Sequence, residues 1–250
     1  MITLKSEREI GIMKEAGRIA ANALKEAGKI IKPGVTTAQI DAVAYEYIKS
    51  MGATPSFLGY GGFPATCCIS VNEVVIHGIP SKKCVIKEGD IVSIDMGAKY
   101  KGYHGDTTKT FACGEISEEA KKLLQTTQEC LNVGIKQAVV GARIGDIANA
   151  IQKYAEERSY SVVRDFVGHG VGAHLHEDPS VPNYGKPHSG IRLLEGMTIA
   201  IEPMINIGSF EVKVLDDDWT VVTADSKLSA HFEHTIAVTK NGPVILTQPD

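Results

Sequence analysis

Residues 88–95 read Glu88-Gly89-Asp90-Ile91-Val92-Ser93-Ile94-Asp95, and residues 195–202 read Glu195-Gly196-Met197-Thr198-Ile199-Ala200-Ile201-Glu202. Each is a turn followed by an apolar run that ends in an acid. The two lie 107 positions apart, and the offset holds well beyond them. Leu24 falls on Leu131, Lys29 on Lys136, Gly34 on Gly141, Ile40 on Ile147 and Tyr47 on Tyr154. Further along, Gly61 falls on Gly168, Gly78 on Gly185 and Pro80 on Pro187. An ungapped repeat of this length is a two-fold duplication and not a solenoid of short units. It predicts an α+β fold of two related halves, about 1–115 and 116–250, in a single domain spanning 1–250.

Local signals repeat in the same order. Ser6 with Glu9 forms a capping box, and apolar residues from Ile10 to Ile31 recur at helical spacing until Pro33-Gly34 stops them. A second helix is expected from about Thr37 to Gly52. Residues 54–112 carry turn residues and β-branched runs at 68–71 and 91–94, which read as strands. Ser117 then caps a third helix, and a fourth runs from about Ile144 to Arg158. Strand signals return at 162–167, 198–205, 219–223 and 232–239.

The 250 residues hold 26 Lys and Arg against 30 Asp and Glu, a formal charge of −4, with 43% hydrophobic residues. That apolar content is ordinary for a globular chain and excludes disorder. No basic excess exists to neutralise phosphates, so nucleic-acid specificity is not expected. No run approaches the ~18 apolar residues of a membrane span, and the charged segment 1–14 has no apolar core of a signal peptide. Five cysteines without a C-x-x-C spacing fit reduced thiols in the cytoplasm.

The chemistry lies in acids placed where a core should be. Asp95 ends a buried-type strand. A hairpin through 99–102 returns to Asp106, a spacing that can bring the two carboxylates onto one face as near-neighbours, the alternative being a solvated turn acid or a local cap at Asp106. Two ionised acids side by side repel unless they share a cation. Glu202 ends the equivalent strand of the second half. In His231-Phe232-Glu233-His234-Thr235, alternation turns Glu233 inward and His234 to the opposite face. Between these segments, Gly168-His169-Gly170 is followed by His174 and His176, which the period of two places on one face of an extended segment. Asp95, Asp106, Glu202 and Glu233 total −4, and with a neutral His169 they balance two divalent cations. Oxygen donors with one imidazole suit Mn²⁺, Fe²⁺, Co²⁺ or Zn²⁺.

Over essentially its whole length the chain resembles the type I methionine aminopeptidases. The resemblance rests on Gly59-Tyr60-Gly61-Gly62-Phe63-Pro64, the segment from Ser70 through Asn72 and His77 to Pro80, Asp90–Asp95 and Gly105-Asp106-Thr107. It continues through Gly168–Gly172, His176–Pro179, Ile201-Glu202-Pro203 and Phe232–Thr235. It implies the pseudo-two-fold pita-bread fold and a dinuclear metal hydrolase that removes N-terminal methionine ahead of a small second residue. Asp95 would be a bidentate ligand of one metal. Asp106 and Glu233 would bridge both, and His169 and Glu202 would complete the other site. Glu202 would also accept the proton from the attacking water. His176 would hydrogen-bond the scissile carbonyl, and His77 the nitrogen of the second residue.

The same resemblance implies a methionine pocket walled by Phe57, Tyr60, Phe63, Cys68, Leu175 and Trp219. It implies a monovalent cation, Na⁺ or K⁺, at Asn72, Val74 and Ser229, and assigns no metal to His231 or His174. The short stretch between His176 and Glu202 fits type I. With no zinc module before Ser6, the chain reads as a bare bacterial-type catalytic core. The implied partners are nascent polypeptide N-termini and the ribosome surface, with the chain a monomer. The alternatives are an Xaa-Pro peptidase of the same fold, which usually carries an extra N-terminal domain, and a binder that kept the fold and lost its metals. A dinuclear phosphoesterase would use more histidines.

Overall fold

The computed structural model describes residues 2–250. Its first helix, α1 (Glu7–Lys29), begins at Ser6, whose hydroxyl caps the Glu9 amide while the Glu9 carboxylate returns to the Ser6 amide. α2 (Thr37–Ser50) opens with the same reciprocal device between Thr36 and Gln39. After β1 (Thr54–Pro55), β2 (Cys67–Val71) and β3 (Val74–Ile76) comes the long hairpin of β4 (Ile91–Tyr100) and β5 (Tyr103–Ala112). Its loop is the two residues Lys101 and Gly102, both at positive φ, as a tight hairpin with right-twisted strands requires. α3 (Glu118–Gln137) is capped by Ser117 and followed by α4 (Ile144–Glu156).

The second half then lays down β6 (Ser161–Val162), β7 (Gly168–Gly170), β8 (Glu177–Val181), β9 (Thr198–Ile201) and β10 (Met204–Asn206). β11 (Val212–Val214), β12 (Val221–Thr223), β13 (Ser229–His231), β14 (Glu233–Thr239) and β15 (Gly242–Ile245) complete it. The main sheet runs β1-β4-β5-β14-β9-β7-β8, with β2 added on β4 and β15 on β14. All its pairings are antiparallel. β5 and β14 meet at the centre, where Thr108 faces Glu233 and Thr107 faces His234.

The helices cover one face of this sheet. Ile94 and Met96 of β4 pack with Ile19, Ala23 and Ile40 from α1 and α2. Ile199 and Ile201 of β9 pack with Leu123, Leu131 and Ile147 from α3 and α4. Strand alternation therefore turns Asp95 and Glu202 to the other, concave face. The two halves repeat in backbone detail as well as in sequence. Gly34 donates to Ile86 and Gly141 to Leu193, each at 2.9 Å, and Thr36 bridges Val85 as Arg143 bridges Arg192. Gly34 and Gly141 both sit at φ +92°, and Gly89 and Gly196 at +89° and +88°, a region that favours glycine. No helix among the described residues is long and apolar enough to cross a membrane.

Three expectations need correction. The strand expected over 162–167 is only Ser161–Val162, because the chain turns there and Phe166 and Val167 instead line the concave pocket. The run 198–205 breaks at Pro203, which lacks the N–H a ladder needs, into β9 and β10 in different sheets. His174 and His176 do not share a face of an extended segment. Residues 171–176 connect β7 to β8, and the Gly172 amide bonds back to the His174 carbonyl at 3.0 Å. That reversal leaves His174 exposed and carries His176 to the pocket mouth.

Candidate metal centre and its pocket

The β4–β5 hairpin sets the first two acids. Asp95 pairs with Thr108 and Gly97 with Asp106, so the two carboxylates are diagonal neighbours on one face. Glu233 pairs with the same Thr108 from the other side, which puts it on that face too. Thr108 Oγ1 donates to Glu233 Oε2 at 2.7 Å and Thr107 Oγ1 to the Glu233 carbonyl at 3.0 Å. The Asp106 amide donates to Thr235 Oγ1, which itself donates to the Asp106 carbonyl. Hydroxyls thus lock the strand step that carries two acids, one from each half.

Glu202 follows Ile201, the partner of His234 in the neighbouring ladder, and enters from the far side of Glu233. His169 Nε2 stands 3.8 Å from Asp106 Oδ2 and 3.6 Å from Glu202 Oε1. Ligand atoms of Asp106, His169 and Glu233 all lie within 4.8 Å of one another, close enough to hold one ion. Asp95 and Glu202 line the same pocket.

The electrostatics of these side chains demand positive charge. Asp106 and Glu233 are only 3% and 2% exposed. Burial and the neighbouring acids push both carboxyls far above the ordinary range. Burial raises Glu202 to about 8 and Asp95 to about 6, the latter helped by the charge on Glu202. Asp95 Oδ1, Asp106 Oδ1 and Glu233 Oε1 are buried with no hydrogen-bond partner. Buried acceptors are seldom left unpaired, and three convergent carboxylate oxygens fit a cation better than a proton each. Burial holds His169 down at about 3, so its imidazole is neutral and available as a ligand. The donor set therefore fits hard or borderline divalent metals.

Around the acids lies a cavity of about 240 Å³. Phe57, Phe63, Cys68 and Leu175 form one buried apolar cluster, with Trp219 against it. The Phe63 and Trp219 rings meet edge to face at 5.1 Å. Tyr60 stands exposed at the rim, and its hydroxyl is 2.9 Å from His176 Nδ1. His176 also packs on His169, ring centres 4.0 Å apart. His77, at φ +58°, lies between the rings of Phe166 and Trp219. Burial, then the neighbouring His231 and His176, lower its pKa to about 4, so it acts as a neutral hydrogen-bonding group.

Asn72 and Ser229 are also brought together, the Ser229 amide donating to the Asn72 carbonyl at 3.0 Å. The Asn72 side chain is engaged by Asp90 and the Ile91 amide, so main-chain oxygens remain for a cation there. Val74 opens the strand β3 just beyond that turn.

Two residues that the sequence did not single out for this site belong to its surroundings. His231 is 2% exposed, its Nε2 has no partner, and it lies 3.6 Å from Glu202 Oε2. Alternation from Glu233 would have placed it on the acid face. Phe166 lines the pocket against His77, and no periodic signal marks it.

The chain is similar in sequence and fold to known metallopeptidases. Residues 11–240 match the model of metallopeptidase family M24. A Bacillus subtilis protein named methionine aminopeptidase 1 is 55% identical over 248 residues, covering 99% of this chain and 100% of that one. A Clostridium acetobutylicum methionine aminopeptidase is 54% identical over 247 residues, 99% of each chain. The crystal structure of a Thermotoga maritima methionine aminopeptidase superposes with a TM-score of 0.98 at 48% identity, covering 99% of this chain and all of that one.

Proposed function

Because the chain belongs to metallopeptidase family M24, alongside the bacterial type I methionine aminopeptidases, we propose that it removes N-terminal methionine from polypeptides whose second residue is small. It is a metal-dependent aminopeptidase of the pita-bread fold. The observation that carries the reading is the cluster of buried, unpartnered carboxylate oxygens on Asp95, Asp106 and Glu233, facing an apolar pocket.

Asp95, Asp106, His169, Glu202 and Glu233 are the ligands in this reading, for two divalent ions drawn from Co²⁺, Mn²⁺, Fe²⁺ and Zn²⁺. Bound there, such ions supply positive charge against the developing oxyanion and acidify a water. The protein's own groups do the rest. Glu202 accepts the proton of the attacking water. Its carboxylate is bracketed by His169 and His231, each 3.6 Å away. Tyr60 Oη lies 2.9 Å from His176 Nδ1, and with the hydroxyl as donor the ring hydrogen sits on Nε2, which then donates to the scissile carbonyl oxygen. Neutral His77 hydrogen-bonds the nitrogen of the second residue. Phe57, Phe63, Cys68, Leu175 and Trp219 form the apolar wall for the unbranched thioether.

Asn72, Val74 and Ser229 would hold a Na⁺ or K⁺ ion. The repeated backbone pairings support a duplicated single unit, halves about 1–115 and 116–250. Nascent N-termini are the substrates, reached in the cytoplasm at the ribosome surface by a monomer.

The test is release of methionine from Met-Ala-Ser. Activity should vanish on chelation and return with Co²⁺ or Mn²⁺. Equal cleavage of Xaa-Pro substrates lacking N-terminal methionine would replace this reading with the Xaa-Pro one.

A further inference from the structure

The sheet has a second hollow, on the face turned away from the carboxylates. It holds about 600 Å³, within the range of ligand pockets, and is larger than the catalytic cavity. It opens where the two helical layers part, between α1 and α3, and its floor is the β5–β14 step. Leu24, Phe111, Leu131 and Phe232 supply apolar walls. His234 lines it from the floor, its Nδ1 already engaged by Thr247 Oγ1 at 2.8 Å, which leaves Nε2 for another partner.

The charged side chains that line the hollow have one sign. Lys25, Lys29 and Lys109 line it, and no Asp or Glu does, although the chain as a whole is acidic. Lys29 is paired with Glu26, and Lys25 donates to the main-chain oxygen of Asp250. Lys109 has no carboxylate partner among the described residues, and its ammonium lies 5.3 Å from the centre of the Phe111 ring. A cation held over an aromatic wall at the edge of an apolar cavity suits a ligand with the same two-part character.

We propose that this hollow binds an organic anion: a compact apolar or aromatic body with a single carboxylate, sulfonate or phosphate. The body lies among Leu24, Leu131 and Phe232, and the anionic head meets Lys109. The hydroxyl contacts that hold Asp106 and Glu233 lie in the same strand step, so the site sits one sheet thickness behind the metal ligands.

The experiment is a fluorescence titration of the metal-loaded full chain with 1-anilinonaphthalene-8-sulfonate, an aromatic anion that brightens in apolar surroundings. It is run with and without saturating methionine in the catalytic pocket. One saturable site that methionine does not displace is expected. Lys109→Glu, at an exposed position, and Ala21→Trp, which fills the hollow from α1, should each weaken binding at least tenfold. Circular dichroism and Tm verify folding, and Lys109→Glu decides alone if Ala21→Trp does not fold. Absence of a saturable site, displacement of the dye by methionine, or undiminished affinity in a folded variant would overturn the proposal.

Discussion

His77 and Asp106 show how differently two polar residues in one pocket can work. His77 touches no acid and is packed between aromatic rings, so its loss should leave the metal ligands in place. Asp106 sits in the densest part of the carboxylate cluster. His77→Ala is therefore expected to cut turnover by about two orders of magnitude or more, the scale of a lost transition-state hydrogen bond, with metal content near normal. Asp106→Asn should lower metal occupancy itself. Metal analysis beside kcat on both variants separates the two roles, and metal loss in His77→Ala would disprove the assignment.

The acids also make stability depend on pH in an unusual direction. The folded-state pKa of Glu202 is raised from 4.5 to about 8, and that of Asp95 from 3.8 to about 6. The depressed histidines, His169 at about 3 and His77 at about 4, oppose this up to about pH 7, but above it they are neutral in both states while the folded metal-free protein still holds protons on its acids, so there stability falls as pH rises. Chelated protein should therefore melt at a lower temperature at pH 8 than at pH 7. Added divalent metal should reduce or reverse that difference, because cations then replace the protons. A Tm series with and without chelator checks it, and a chelated Tm that rises over that interval would contradict the burial argument.

At the scale of elements, the acid-bearing strand is placed by contact between backbones. A Cβ on Gly105 would meet the Gly17 N and Cα of α1 at 2.4 Å, and one on Gly17 would meet the Leu246 carbonyl oxygen at the same distance. α1 thus lies directly on β5 beside Asp106, with no side chain between them. Gly105→Ala should push the helix off the strand and cost about 3 kcal/mol, at the upper end for overpacking, with weaker metal binding as a second effect. Urea unfolding and a metal titration measure both.

The same scale explains what could be read from the sequence. The Asp95–Asp106 relation was legible because hairpin register is local: two strands and a two-residue loop determine it. Ser6 and Ser117 mark helix starts for the same reason, whereas the Thr36–Gln39 cap of α2 was not singled out in the sequence. Phe166 was not legible, because it becomes a pocket wall only when β6 ends early and the chain turns toward β3. The loop carrying His176 looks extended in sequence because its reversal depends on β7 and β8 closing on each other. The orphaned nitrogen of His231 shows only when β13 is seated near Glu202.

Across the whole molecule, the candidate site draws on both halves of the chain. Asp95 and Asp106 come from the first half, and His169, Glu202 and Glu233 from the second. The pocket wall divides likewise, with Phe57, Phe63 and Cys68 from one half and Leu175 and Trp219 from the other. The buried ion pair of Lys5 with Glu177 adds a further tie, from the segment before α1 to the strand that follows His176. Lys5→Ala leaves Glu177 without its countercharge and should cost roughly 3 kcal/mol, as breaking a buried pair does. A KM for Met-Ala-Ser that rises along with a lowered Tm would show that this tie also holds the His176 loop in place.

That division gives the metals a topological role. A cation gripping Asp106 and Glu233 joins points more than a hundred residues apart along the chain. In the unfolded chain such a link would close a loop whose entropy is worth about 4–5 kcal/mol for a permanent bond of that span. On the proposed ligand set, the ion would act as a removable staple between the two halves of the chain. Cofactor supply in the cell would then set the mechanical integrity of the enzyme along with its activity.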